Sequence, residues 1–295
     1  MRLLALGENV CDLYLSRGKM YPGGQCANTA VYAAMRGVFS AYMGVFGSDR
    51  YAEVCRGGLE AFGVDLSHCR SVEGENGYCR IEHRGTDRVF AGSNRFGVNR
   101  TQPLELTAAD WDFIRTFDVI YTDCNGQVDR YLPELAKTDI PVAYDFSAKI
   151  EDEDLVRVAP YVAMASLSCA DISAEERERK MHLMASHGTP MVLATVGEAG
   201  SYLLSGGQLL YAPAAPADMV VDTLGAGDAY FAALICEVIQ GQLDKGMALQ
   251  QGQPLQQGQP LQQGLQEAME KAAAFAADIL KVEGAYGHGI PMDAV

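Results

Sequence analysis

The chain has 295 residues, 48% hydrophobic and 21% charged, enough apolar material for a sizeable globular core. Its 38 acidic against 23 basic residues leave a formal charge of −15, which argues against nucleic acid or an anionic membrane surface as a partner. Eight cysteines without C-x-x-C spacing and five histidines without ligand spacing exclude a disulfide frame and a zinc site, and no apolar run approaches a membrane span.

Residues 1–7 form a short apolar run with no basic leader or cleavage signal, so a reduced, cytoplasmic protein is expected. Candidate strands follow at 3–6, 41–46, 118–121, 140–144, 161–165 and 191–196. Helical periodicity marks 26–36, 51–62, 108–115, 129–136 and 174–186. Alternation of this kind predicts an α/β fold, a mostly parallel sheet with helices on both faces, and ligands gathered beyond the carboxyl ends of the strands. The expected unit is one domain over 1–295.

Two stretches break the rhythm. Residues 13–22 and 75–98 alternate polar and apolar positions with no crossover helix nearby. Tyr78, Arg80, Glu82 and Arg84 share one face, and Cys79, Ile81 and His83 the other, as in an antiparallel ribbon. They predict a small projecting sheet that serves as a lid or a dimer surface. Near the C-terminus, Gly252-Gln253-Pro254-Leu255-Gln256-Gln257 is repeated at once as 258–263. Without a helix period, and with Pro254 and Pro260 inside it, the region 250–264 reads as a loop insertion before a helix at 265–280.

Chemistry concentrates at Asp222-Thr223-Leu224-Gly225-Ala226-Gly227-Asp228. The apolar residues 219–221 read as a strand end leading in. Phe231, Leu234, Ile235, Val238 and Ile239 form one helix face leading out. A helix start exposes unpaired N–H groups, two glycines let an anion approach them, and the nearby carboxylate can take a proton from a hydroxyl. Alone, such a turn is more often an ordinary cap. Three other motifs fit the same chemistry. Gly7-Glu8-Asn9-Val10-Cys11-Asp12 places a carboxylate after the first strand. Pro22-Gly23-Gly24-Gln25-Cys26-Ala27-Asn28 opens a helix with paired glycines and an amide, and Thr195-Val196-Gly197-Glu198-Ala199-Gly200 ends a strand in small residues suited to a nucleotide edge.

In order and spacing these four motifs resemble the ribokinase-like (phosphofructokinase-B type) carbohydrate kinases over roughly residues 2–285. Shorter phrases, Asp12-Leu13-Tyr14, Gly63 to His68, Asp87 to Phe90, Asp145-Phe146-Ser147 with Lys149, and Gly284-Ala285-Tyr286, are similar to the fructoselysine (fructosamine) 6-kinase branch. The resemblance implies a three-layer α/β/α domain with a small β-sheet lid. It also implies ATP and Mg²⁺, a small sugar or sugar-amine acceptor, and a homodimer through the lid. Asp228 would be the catalytic base, and Gly225, Ala226 and Gly227 the anion hole. Asp12, Gly23, Gly24 and Asn28 would grip the sugar, Thr195, Gly197 and Gly200 would border ATP, and Lys149 would reach the phosphates. Arg95, in Ser93-Asn94-Arg95-Phe96 on the lid return, is a candidate for selectivity.

The family's Asn-x-x-Glu, which supports Mg²⁺, is replaced here by Ala165-Ser166-Leu167-Ser168-Cys169, with Asp171 two residues on. That puts the metal geometry in question more than the reaction. No residue is assigned as a metal ligand. A dinucleotide oxidoreductase fails because Gly225-x-Gly227 lacks a third glycine and lies near the C-terminus, and a P-loop kinase fails for want of Gly-Lys-Ser/Thr. The alternatives kept are another sugar kinase of the same fold (ribose, fructose or ketodeoxygluconate type) and a non-catalytic sugar or nucleotide sensor.

Overall fold

Apolar runs such as Leu3-Leu4-Ala5-Leu6 lack polar alternation because both faces of the strand they form are covered; all four residues are fully buried. The computed structural model describes residues 1–84, 87–245, 249, 251 and 259–293. The strands begin with β1 (Arg2–Leu6), β2 (Val10–Tyr14), β3 (Lys19–Gly23), β4 (Phe39–Met43), β5 (Val45–Phe46), β6 (Arg70–Ser71), β7 (Tyr78–Arg84) and β8 (Asp87–Ser93). They continue with β9 (Val119–Asp123), β10 (Val142–Asp145), β11 (Met164–Ser168), β12 (Met191–Thr195), β13 (Ser201–Ser205), β14 (Gln208–Ala212) and β15 (Ile290–Pro291).

The main sheet has the order β14-β13-β12-β11-β10-β9-β1-β4. It is parallel from β4 to β12, with β13 and β14 added antiparallel. Alternate residues of each strand feed two cores. Leu3, Ala5, Tyr121 and Leu193 pack with the helices Gln25–Met35, Ala226–Asp244 and Gln259–Ile279. Leu4, Leu6, Ile120 and Val192 pack with Ala108–Ile114, Asp152–Val158 and Ala174–Ser186 on the other face. A two-residue period between two helix layers is what makes the fold three-layered.

The second sheet, β15-β3-β2-β7-β8, contains both stretches expected to form the lid. Ile81 is buried while Arg80 is exposed, as the alternation requires. The lid differs from a plain antiparallel ribbon in that β2 pairs with β7 in parallel, and β15 from the far end of the chain adds to β3. Tyr14, Tyr21 and Ile81 form a small core under it, against which Leu224 of the glycine-rich turn packs.

Two expectations are corrected. Residues 219–221 are no strand: Met219, Val220 and Val221 are exposed and pair with no strand among the described residues. The segment is held instead by Val221 N–H donating to Leu280 O at 2.8 Å. The last long helix starts at Gln259 rather than near 265, so the second repeat copy enters it. Pro260 is tolerated because a first-turn residue has no intrahelical N–H bond to lose. Residues 252–258, which hold the first copy, lie outside the described residues.

Candidate active site

Gly23 and Gly24 carry the chain from lid strand β3 into the Gln25–Met35 helix. A Cβ at Gly23 would collide with Asp12 Oδ2, so only glycine lets that carboxylate lie against the backbone. Gly24 is the helix N-cap, and its carbonyl accepts the Asn28 N–H at 2.7 Å. One helical turn thus separates Asn28 from the glycine pair that Asp12 lies against. From there Asn28 Nδ2 donates to Asp228 Oδ2 at 2.7 Å.

Asp228 lies in the first turn of the Ala226–Asp244 helix, whose N-cap is Gly225 at φ +77°. A side chain at 225 would be strained, and would strike the Tyr32 hydroxyl and come within 2.9 Å of Ala285 Cβ. The turn is braced by Asp222, whose Oδ1 accepts the Leu224 N–H and whose Oδ2 accepts the Gly284 N–H, both at 3.0 Å. Tyr14 of the lid also donates to Asp222 Oδ2. Ala226 N–H reaches Thr223 O at a long 3.4 Å, and Ala229 N–H is taken by Gly225 O at 2.8 Å. The amides between them, of Gly227 and Asp228, fall where a helix offers its first turn no carbonyl. Asp228 and the positive end of the helix dipole share one corner.

Burial pushes the Asp228 carboxyl up to about 6, opposed by the Asn28 amide, raised further by Asp123, and lowered by Gln25. Gln25 belongs to a relay: Lys149 Nζ donates to Asn125 Oδ1 at 2.5 Å, and Asn125 Nδ2 donates to Gln25 Oε1 at 2.8 Å. Beneath it, Glu8 accepts the Gln25 N–H at 2.7 Å, and Asp123 accepts from Asn125 N–H at 2.6 Å and Cys26 Sγ at 2.9 Å. The ligand atoms of Glu8, Cys26 and Asp123 lie within 4.8 Å of one another. Burial first, then Asp123, holds Glu8 well above the carboxylate range, so it keeps its proton against Asp123. Asp145, at the end of β10, is likewise held well above its ordinary range by burial and by Asp228, with a bond from Ser166 opposing.

Thr195 ends β12, and its carbonyl accepts Cys169 N–H at 2.8 Å. The turn closes with Val196 N–H on Gly200 O at 2.8 Å, and leaves Gly197 exposed. Ser201, the next residue, donates to the Tyr230 hydroxyl at 2.6 Å, which ties this rim to the start of the Asp228 helix. The structure therefore links Asp12 through Gly23 and Gly24 to Asn28, and Asn28 to Asp228 and its turn of Gly225, Ala226 and Gly227, with Thr195, Gly197 and Gly200 on a rim tied to the same helix through Ser201 and Tyr230. Lys149 donates to Asn125, which in turn reaches Gln25. Arg95 lines a groove beside the smaller sheet.

Sequence reasoning assigned no role to Gln25, Asp123, Asn125, Asp145 or Asp222. Asp123 and Asp145 carried a signal: each ends an apolar run, at the carboxyl edge of a parallel strand where ligands collect. Asp222 and Gln25 adjoin motif residues, but which way they face depends on the packing of the lid.

The pfkB family carbohydrate kinase profile matches residues 4–291. A fructosamine kinase, FrlD, of Bacillus subtilis (strain 168) is 32% identical over 293 residues, covering 99% of this chain and 95% of that protein. A fructoselysine 6-kinase of Shigella flexneri is 28% identical over 284 residues, covering 96% and 99%. Among solved structures, ribokinase from Giardia lamblia superposes with a TM-score of 0.78 at 12% identity, covering 99% of this chain and 97% of that one. Arabidopsis thaliana ribokinase, complexed with ribose and ATP, gives 0.76 at 20% identity, covering 97% and 94%. With the profile spanning nearly its whole length, the chain belongs to the pfkB family of carbohydrate kinases.

Proposed function

We propose that this protein transfers the γ-phosphoryl group of ATP to the primary 6-hydroxyl of a fructose–amine adduct. The observation that carries the reading is the Asn28–Asp228 contact at the start of the Ala226–Asp244 helix. It sets a carboxylate beside first-turn amides, next to the Asp12 corner where a sugar would be gripped. The fructose–amine part is supported by the names of the two relatives above.

Asp228 accepts the proton of the hydroxyl as its oxygen attacks phosphorus; a base near pH 6 is mostly ionised at neutral pH and still basic enough to act. The amides of Gly225, Ala226 and Gly227, those of 227 foremost, stabilise charge developing on the transferred group. Asp12 and Asn28 orient the sugar, and the rim of Thr195, Gly197 and Gly200 borders the nucleotide. Lys149 acts through Asn125 and Gln25 on the acceptor side of the base.

The chain also fits Mg²⁺. Burial and the neighbouring Asp228 charge raise the affinity of Asp145 for positive charge, and oxygen donors of that kind suit a hard divalent cation. Asp145 and Ser166 would hold it through water in place of the missing Asn-x-x-Glu. The ion supplies neutralisation of the phosphate charge. A dimer through the lid is supported by β8, which ends the sheet without a further strand among the described residues, with Phe90 66% exposed.

The test is an ADP-release assay over ketoses, amine-linked fructose derivatives and nucleosides. Turnover should be highest on the adducts and fall about 10²- to 10⁴-fold in Asp228→Asn, with ATP and sugar binding retained. Binding of both ligands without ADP release would replace the kinase with a sensor.

A further inference from the structure

Between the ends of β7 and β8 the two chains run out of step. Cys79 faces Ser93, and three residues back Asn76 bridges to Gly97, four residues on. The extra residue is a bulge at Arg95 and Phe96, whose φ values are +55° and +74°. Two successive non-glycine residues in the left-handed region are costly, and such bulges are found where a side chain must be re-aimed. Asn94 holds this one in place: its Oδ1 accepts Tyr78 N–H at 3.0 Å, and its Nδ2 donates to Asn76 O at 2.7 Å and Glu75 Oε2 at 3.0 Å.

The bulge forms a wall of an open groove of about 290 Å³, lined among others by Glu75, Asn94, Arg95, Arg100 and Gln102. In a chain with a net charge of −15, arginines find carboxylates easily, as Arg70, Arg157 and Arg179 do. Arg95 and Arg100 have no side-chain partner among the described residues. Two arginines without a side-chain partner among the described residues line one groove with a glutamate, itself bonded to Asn94 through one oxygen, which makes a site for a carboxylate beside an ammonium.

The groove is within reach of the sugar corner. Asp12 pairs with Cys79, and Cys79 with Ser93, so all three lie in register across the lid. Two strand spacings put Ser93 about 10 Å from Asp12. The four-carbon stem of a lysine adds roughly 6 Å to a sugar attached at its amine.

Resting on the fructose–amine reading above, we propose that this groove binds the amino-acid end of the acceptor, with Arg95 and Arg100 taking its α-carboxylate and Glu75 its α-ammonium. The sugar is then placed by the Asp12 corner and the amino acid by the lid root, so the enzyme selects adducts on the ε-amine of lysine over those on a simple amine.

The experiment compares kcat/KM on fructose attached to the ε-amine of lysine, to the α-amine of glycine, and to pentylamine. The lysine adduct should be preferred over the pentylamine adduct by about 10- to 100-fold. The glycine adduct, whose carboxylate is too near the sugar to reach the groove, should be no better than the pentylamine one. Arg95→Ala and Arg100→Ala should each shrink the lysine preference, and the double variant should abolish it. A wild-type enzyme indifferent to the carboxylate, a glycine adduct equal to the lysine adduct, or a preference surviving the double variant overturns the assignment, while ADP release on the pentylamine adduct keeps the kinase reading intact. Absence of ADP release on every adduct removes both.

Discussion

Asn28 Nδ2 lies 2.7 Å from Asp228 Oδ2, joining helix starts that are 200 residues apart in the chain. This donor favours the ionised carboxylate, against burial that favours the neutral one. Asn28→Ala should therefore raise the Asp228 pKa above its value of about 6 and move the acid limb of the kcat profile to higher pH. A pH–rate series on the two proteins decides it, and an acid limb that stays put would disconnect the pair.

The same shift has a cost in stability. Asp228 has a folded pKa of about 6 against ~3.9 in the unfolded chain, so its stabilising contribution is complete below the unfolded value and is lost as pH rises through about 6. Asp228→Asn should thus match the wild type near pH 4 and exceed it by about 1–2 kcal/mol at pH 8, less than the full difference because the group is only half-buried. Urea unfolding at the two pH values measures this, and a variant less stable at pH 8 would contradict the sign.

The two glycines of the turn should separate structure from chemistry. Gly225→Ala places a methyl against Tyr32 and Ala285 at a positive φ, and should cost about 2–4 kcal/mol of stability. A methyl at Gly227 meets nothing within 4 Å, so Gly227→Ala should keep its melting temperature while the KM for ATP rises severalfold. Thermal melts and initial rates on both variants test this. Equal loss of stability at the two positions would mean that 227 does not face open space.

Asp145 carries the prediction about the metal. Its carboxyl is held neutral by burial and by Asp228, so a nearby cation should ionise it, and Asp145→Asn should weaken Mg²⁺. Calorimetric titration of Mg²⁺ into the nucleotide complex should show affinity reduced by about tenfold or more. Unchanged affinity would place the ion elsewhere.

How much was legible depended on range. The strand at 3–6 and the helix at 174–186 follow from apolar runs and period, and appear as Arg2–Leu6 and Ala174–Ser186. The turn before Asp228 misled in one respect: residues 219–221 have strand composition but are exposed and tied to the end of the last long helix through Leu280 O. β15 could not be foreseen, because two residues have no pattern and pair with β3 only after the chain has returned to the lid. The path from Lys149 through Asn125 to Gln25 joins three segments whose spacing in sequence carries no periodic sign.

Local chemistry, by itself, determined that this chain would build helix starts rich in free amides, strands covered on both faces, and a carboxylate at position 228. Such features are set by neighbours within a turn or two. Only the tertiary structure decided that residue 28 meets residue 228, that Asp12 lies against Gly23, that Lys149 turns toward Asn125, and that Arg95 lines a groove beside the smaller sheet. Those outcomes depend on strand order and on a bulge in the pairing of β7 with β8, which are properties of distant segments packed together.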